Sequence, residues 1–287
     1  MTILVTGFTG KVGHEVAKKL KTFQLPIQCA VRDVEKAKKR YGDEFDFVEL
    51  DLSKPKSFEK ALSGKDRVFL MYPPGKGIQF EQFVEAARRN HIQHIVYLSL
   101  KDVQYMPFVP HYKNEKTIKK SGIPYTFVRA GYFMQNLNDF LRTELRENHR
   151  IFVPAGKGKT SFVDARDVAH IAAISLKDSD EHRFQKYVVT GTESLDFFEV
   201  ASQMTQILKL PIYYENPTVK QFKKTMLSRG VDEKFVNVVV GVHAPTKLGL
   251  AGGIKRDYEK VTHEQPASLH RYIMDYQSEW ITKEKHS

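Results

Sequence analysis

Residues 3–13 read ILVTGFTGKVG, a run of β-formers that gives way to glycines at positions 7, 10 and 13. Directly after it, KVGHEVAKKL sets Val12, Val16 and Leu20 on one helical face. The glycines therefore stand at a strand-to-helix junction. The plain reading is a tight turn. The sharper reading is a phosphate cradle: a helix amino terminus presents unpaired N–H groups and a positive dipole end, and glycine lets a ligand approach the backbone closely. The spacing is G-x-x-G-x-x-G rather than the G-x-G-x-x-G fingerprint, so its weight comes from the strand before it and the helix after it. Gly7, Thr9, Gly10, Lys11, Val12 and Gly13 are expected to hold a dinucleotide.

Strand-like and helix-like segments go on alternating. PIQCAV, FDFVEL, RVFLMY, HIVYLSL and PYTFVRA read as strands, and KSFEKAL, FEQFVEAARRN and KNEKTIKKSG as helices. Continuously apolar strands imply a parallel sheet buried on both faces, and hence an α/β, doubly wound fold. After residue 131 the rhythm loosens. A helix is predicted over YFMQNLNDFLRTELREN (132–148), a short strand at RIFVP, and another helix at DARDVAHIAAISL. KYVVTG supplies a strand near 186–190 that returns to the main sheet. From Ser194 helical segments dominate, with PIYYENP as a short strand. The expected organisation is a nucleotide-binding domain over 1–131, completed by the strand near 186–190. The remainder, 132–287, holds a smaller, mostly helical lobe, mainly 194–287. That lobe is expected over the carboxyl ends of the strands, where open α/β sheets take their ligands. GLAGGIK, 249–255, reads either as a lid or as a loop between helices.

Bulk properties narrow the class. The chain has 287 residues, 41% hydrophobic and 28% charged, as ordinary globular proteins do. No apolar run approaches the ~20 residues that span a bilayer, and no basic-then-apolar leader opens the sequence, so a cytoplasmic protein is expected. The single cysteine, Cys29, lies in an apolar run and reads as an inert core thiol. No zinc-type spacing occurs, and no metal is expected. The net charge of +11 raises nucleic-acid binding, but the lysines are dispersed over helix surfaces rather than gathered in one stripe. A positive surface also attracts an anionic cofactor.

AVRD closes the second strand and sets Arg32 and Asp33 about twenty residues past Gly13, where the adenosine ribose belongs. An acid there binds a free 2′-hydroxyl and an arginine accommodates a 2′-phosphate. Both are present. Arg32 comes first, and Lys11 and Lys36 add charge, so NADP(H) is favoured and NAD(H) stays possible. Asp51 and Leu52 end the third strand and flank the adenine, or Asp51 merely caps the helix that follows. MYPPG ends the fourth strand, so Tyr72 and Pro73 border the nicotinamide, and Tyr72 is expected to contact the substrate as well. Ser99 ends the fifth and is expected to contact the cofactor. Tyr132, Phe133 and Asn136 come after the sixth and offer an aromatic wall with one amide, suited to a flat ring, or plain core packing.

VTGFTGKVG, AVRD, SGIPYTFVRAGYFMQN, FVDARDVA and VTHEQPASLHRYI, in that order and over most of the chain, resemble the NmrA-like branch of the atypical short-chain dehydrogenases. Within that branch the resemblance is strongest to bacterial NAD(P)H:quinone oxidoreductases. It implies a Rossmann domain with a small carboxyl-terminal lobe and NADP(H) as cofactor. Typical short-chain dehydrogenases carry Tyr-x-x-x-Lys on the helix after the fifth strand. Here that helix opens HYKNEKT, and His111 and Glu115 hold the two places, sharing one face. A one-residue shift of register makes Tyr112 and Lys116 the pair instead.

A ketone needs a strong proton donor, because hydride addition creates a very basic alkoxide. A quinone yields a phenolate-type anion, whose acid has a pKa of about 10. His111 is therefore the candidate catalytic residue, supplying a proton or a hydrogen bond to the quinone oxygen. The expected activity is NADPH-dependent reduction of quinones or similar small, electron-poor aromatic acceptors. The alternative is a non-catalytic NADP(H)-sensing regulator acting through a protein partner. A homodimer stays open.

Overall fold

The computed structural model describes residues 1–281. The chain begins β1 (Ile3–Val5), α1 (Lys11–Thr22), β2 (Ile27–Val31), α2 (Val34–Tyr41), β3 (Phe47–Glu49) and α3 (Phe58–Leu62). It continues through β4 (Arg67–Leu70), α4 (Phe80–Arg89), β5 (His94–Leu100), α5 (Pro110–Lys120) and β6 (Tyr125–Ala130). Then come β7 (Tyr132–Phe133), α6 (Asn136–Asp139), α7 (Arg142–Asn148), β8 (Arg150–Ile151) and β9 (Thr160–Val163). Next are α8 (Ala165–Lys177), α9 (Ser179–His182), β10 (Gln185–Val189), β11 (Ser194–Leu195) and α10 (Phe197–Leu208). The described chain closes with β12 (Tyr213–Tyr214), α11 (Val219–Ser228), α12 (Glu233–Lys247), α13 (Asp257–Thr262) and α14 (Leu269–Tyr276). No described helix is long and apolar enough to cross a membrane.

These elements form two compact units. The first comprises residues 1–130, 165–189 and 260–263; the second takes 131–164, 190–259 and the residues from 264 on. The first unit holds a seven-stranded sheet in the order β10-β6-β5-β4-β1-β2-β3. Every neighbouring pair in it is parallel. From β1 the chain winds outward through β2 and β3, then crosses back to lay β4 on the other side of β1. That reversal makes the β1–β4 junction the switch point of the sheet. Val68, Leu70, Ile95, Tyr97 and Phe127 pack into one core cluster with Phe83 of α4 and Ile118 of α5. Helix α8 lies along α1 and touches β4, β5 and β6. Covering both faces is why these strands read as unbroken apolar runs.

The second unit draws on 131–164 as well as on the later residues, because its core needs both. Met134, Phe152 and Phe162 cluster there with Phe197, Met204, Tyr272 and Trp280. The single helix predicted over 132–148 is three pieces instead. Tyr132 and Phe133 pair in parallel with Phe162 and Val163 of β9, so the first two residues are held extended, and two short helices come next. A strand partner more than two dozen residues away overrode the local helical periodicity. The 249–255 segment is tied down as a loop: Ser161 N–H donates to the Ala251 carbonyl at 3.2 Å, and Lys255 N–H to Thr190 Oγ1 at 3.1 Å.

Candidate functional site

Each glycine of the opening stretch meets a distinct geometric demand. Gly7 has φ of +65°, in the left-handed region, and a Cβ there would lie 2.6 Å from the Met71 sulfur. Gly13 sits in the first turn of α1, and its missing Cβ would fall 2.3 Å from the Gly7 carbonyl oxygen. The helix can therefore start this close to the loop only with glycine at 13. Gly10 closes the turn by donating its N–H to the Gly7 carbonyl at 2.9 Å and then serves as N-cap. No side chain caps α1, and its first turn carries no acid, so no side-chain oxygen competes for the position an anion would take. Thr9 is exposed on the loop, and Val12 anchors the helix in the core. Lys11 reaches the surface, yet the atoms crowding it desolvate its ammonium and lower its pKa to about 8. A neighbouring anion would reverse that shift. The loop fits a pyrophosphate.

At the end of β2 the two candidate ribose residues separate. Asp33 is the N-cap of α2, and its Oδ1 accepts the Lys36 N–H at 2.9 Å. Arg32 is exposed and sits near enough to Asp51 to help hold that carboxyl below its usual range, behind the stronger hydrogen bonds from Ser53. The Asp51 carboxylate accepts both the Ser53 N–H, at 2.9 Å, and its hydroxyl, at 2.7 Å. It closes a local turn rather than capping α3. Leu52 is buried.

The β1 and β4 ends are joined by the Met71 N–H, which donates to Thr6 Oγ1 at 2.9 Å. Tyr72 and Pro73 come at once after it, both half-buried. The Tyr72 ring meets Phe80 and His111 edge-on, each with centroids 5.9 Å apart. Deeper in the sheet, the Tyr97 hydroxyl accepts from Asn114 Nδ2 at 2.9 Å and lies 2.8 Å from His111 Nδ1. With Asn114 donating to it, Tyr97 donates its own proton to His111. The imidazole in turn donates to the Leu98 carbonyl. Desolvation outweighs that bond and the nearby Glu115 charge, and pushes the His111 pKa down to about 4. A ring held neutral by desolvation is a poor proton source near pH 7. The proton or hydrogen bond expected of His111 would have to come from a ring that is already bonded to Tyr97 and to the Leu98 carbonyl.

Ser99 and Glu115 form a second buried group. Ser99, fully buried, donates to Glu115 Oε1 at 2.8 Å. Arg129 on β6 grips the same carboxylate through Nε and Nη2, and its Nη1 bonds Gln104 at 2.9 Å. Ser99, expected against the cofactor, is sealed inside this network instead. Glu115 faces the sheet, whereas Tyr112 and Lys116 stack on each other, the ammonium 4.3 Å from the ring centre, with Lys116 exposed. The shifted-register pair therefore stays on the outer part of α5.

Tyr132, Phe133 and Asn136 belong to the second unit. Tyr132 is 9% exposed and packs edge-on against Phe162 and Phe197. Its hydroxyl meets His243 Nε2 at 2.9 Å and also bonds Asn136. His243 Nδ1 donates to the Val239 carbonyl, which leaves Nε2 as the acceptor. Phe133 is half-buried on β7. Sequence reasoning missed Tyr97, Asn114, Arg129 and His243. Tyr97 and Arg129 lie inside apolar strands and look like core; only the helical offset of Asn114 from His111 carried a signal.

A doubly wound sheet with a glycine cradle at its switch point defines a nucleotide-binding α/β protein. The chain belongs to the NmrA-like family, whose model matches residues 1–273. It is 31% identical over 268 residues to the NAD(P)H azoreductase of Xenophilus azovorans, covering 91% of this chain and 92% of that protein. Among solved structures, Citrobacter sp. triphenylmethane reductase complexed with NADP(H) superposes with a TM-score of 0.85 at 24% identity, over 96% of this chain and 99% of that one. An NADPH-dependent quinone oxidoreductase from Escherichia coli gives 0.85 at 22% identity, over 96% and 100%. Both share the fold of this chain.

Proposed function

We propose that this protein is an NADP(H)-dependent oxidoreductase that reduces quinones or similar electron-poor aromatic acceptors by hydride transfer. The observation carrying the reading is the division of labour after β2: Asp33 is committed to capping α2, while Arg32 is exposed to receive a 2′-phosphate. Support for the chemistry comes from the relatives, an azoreductase by sequence and dye and quinone reductases by fold.

In this reading Gly7, Thr9, Gly10, Lys11, Val12 and Gly13 hold the pyrophosphate, and Arg32 the 2′-phosphate. Asp51 and Leu52 flank the adenine; Tyr72 and Pro73 border the nicotinamide. When bound, NADPH supplies the hydride. The protein binds and orients, and it must meet the negative charge that develops on the acceptor oxygen. Phe133 and Asn136 stay candidates for acceptor contact, and Tyr132 supports them from the core.

The test is a fluorescence titration with NADPH, then a panel of quinones and azo dyes. Saturable binding and catalytic loss of NADPH above the protein-free rate support the reductase. Tight binding with no loss to any acceptor overturns it.

A further inference from the structure

Resting on that reading, we infer that the Tyr72 hydroxyl, rather than His111, is the proton and hydrogen-bond donor to the acceptor oxygen. Four side chains gather near the carboxyl ends of β4 and β5: Tyr72 just after β4, Tyr97 within β5, and His111 and Asn114 on α5. Three of them are spent on one another. Asn114 donates to Tyr97, Tyr97 faces His111 at 2.8 Å, and His111 donates onward to the Leu98 carbonyl. The nearby Ser99 hydroxyl is buried and given to Glu115. The Tyr72 hydroxyl alone of this group has no hydrogen-bond partner among the described residues.

Its position is also defined. Tyr72 adjoins Met71, whose backbone bonds Thr6 and whose sulfur fills the space a Gly7 side chain would need. It therefore stands at the switch point, one residue from the phosphate loop's neighbour. Phe80 and His111 hold its ring on two sides, and Pro73 and Pro74 stiffen the backbone after it. On this account the chain Asn114–Tyr97–His111 has a positioning role: it fixes the imidazole edge against which the Tyr72 ring rests.

The step balances without a further reagent. Hydride addition to a quinone leaves the negative charge on an oxygen. That oxygen takes the Tyr72 O–H proton as the tyrosine O–H bond breaks, and the tyrosinate recovers a proton from water. Phenol and hydroquinone are the same functional group, so the proton moves between near-equal partners.

Tyr72→Phe keeps the ring and removes only the donor. A binding readout uses 4-nitrophenolate, whose visible band shifts when its oxygen accepts a hydrogen bond. The expected result is about tenfold weaker binding and loss of the band shift in Tyr72→Phe, the worth of one hydrogen bond to a charged group. NADPH affinity stays within about twofold of wild type, since the ring remains. With NADPH and a quinone, the wild-type protein shows a normal solvent deuterium isotope effect that Tyr72→Phe abolishes, with a slower single turnover. Tyr112→Phe, one helical step from His111, changes none of these. Equal nitrophenolate binding and equal turnover in wild type and Tyr72→Phe overturn the proposal. A wild-type protein that binds nitrophenolate through Tyr72 yet consumes no NADPH overturns the reductase reading and keeps the donor.

Discussion

Arg129 clasps Glu115 with two parallel hydrogen bonds, Nε to Oε1 at 2.9 Å and Nη2 to Oε2 at 2.6 Å, between side chains only 10% and 6% exposed. The clasp joins α5 to β6 and gives the buried Glu115 carboxylate a charged partner. A lysine there would put two cations face to face in a desolvated site.

Glu115→Gln should therefore act on stability first. Removing one partner of a buried pair leaves the other uncompensated and costs about 3–5 kcal/mol. The urea midpoint should fall accordingly. The double replacement Glu115→Leu with Arg129→Met should recover most of the loss, since an apolar pair of similar volume is often neutral.

Arg32→Ala should separate the two cofactors. The guanidinium has no role in the core, so stability should stay within about 0.5 kcal/mol. NADPH affinity should fall roughly tenfold to a hundredfold, in keeping with a charge-assisted contact, while NADH affinity changes little. Parallel fluorescence titrations read both. Equal losses for the two cofactors would remove Arg32 from the 2′-phosphate.

Gly13→Ala tests the cradle. Its new methyl would meet the Gly7 carbonyl at 2.3 Å, so α1 must move off the loop. Overpacking of this kind costs about 1–3 kcal/mol, seen as a lower melting temperature together with weaker NADPH binding. Gly10→Ala, whose Cβ would lie 3.3 Å from the same oxygen, should be milder.

His94 should make the fold acid-sensitive. It is fully buried; Nε2 lies 2.9 Å from Thr126 Oγ1, which donates to the His182 carbonyl, and Nδ1 has no partner among the described residues. Desolvation first, and then the Arg67, Arg183 and His182 charges, hold its pKa down to about 4, with Asp180 opposing. Unfolded, the ring titrates near ~6.5, so between these values the unfolded chain binds more protons. Stability therefore falls as pH drops from about 6.5 to 4, by at most about 1.4 kcal/mol per unit from this residue. His94→Leu should flatten that part of a pH series of unfolding midpoints.

The wound sheet and the glycine cradle were legible in the sequence because both are local. A strand, a turn and a helix lie within the stretch from Ile3 to Thr22, and their periodicities need no distant partner. The same holds for Asp33, whose capping bond reaches only three residues. The helix expected over 132–148 failed for the opposite reason, since β9 claims its first residues.

Which polar groups remain available for chemistry was decided by tertiary structure alone. Ser99 meets Glu115 sixteen residues on, and Tyr132 meets His243 one hundred and eleven residues on. His111 keeps or loses its proton according to how deeply Tyr97, fourteen residues back, and the surrounding atoms desolvate it. Burial and hydrogen-bond commitment are properties of neighbours in space, and the order of residues along the chain does not encode them.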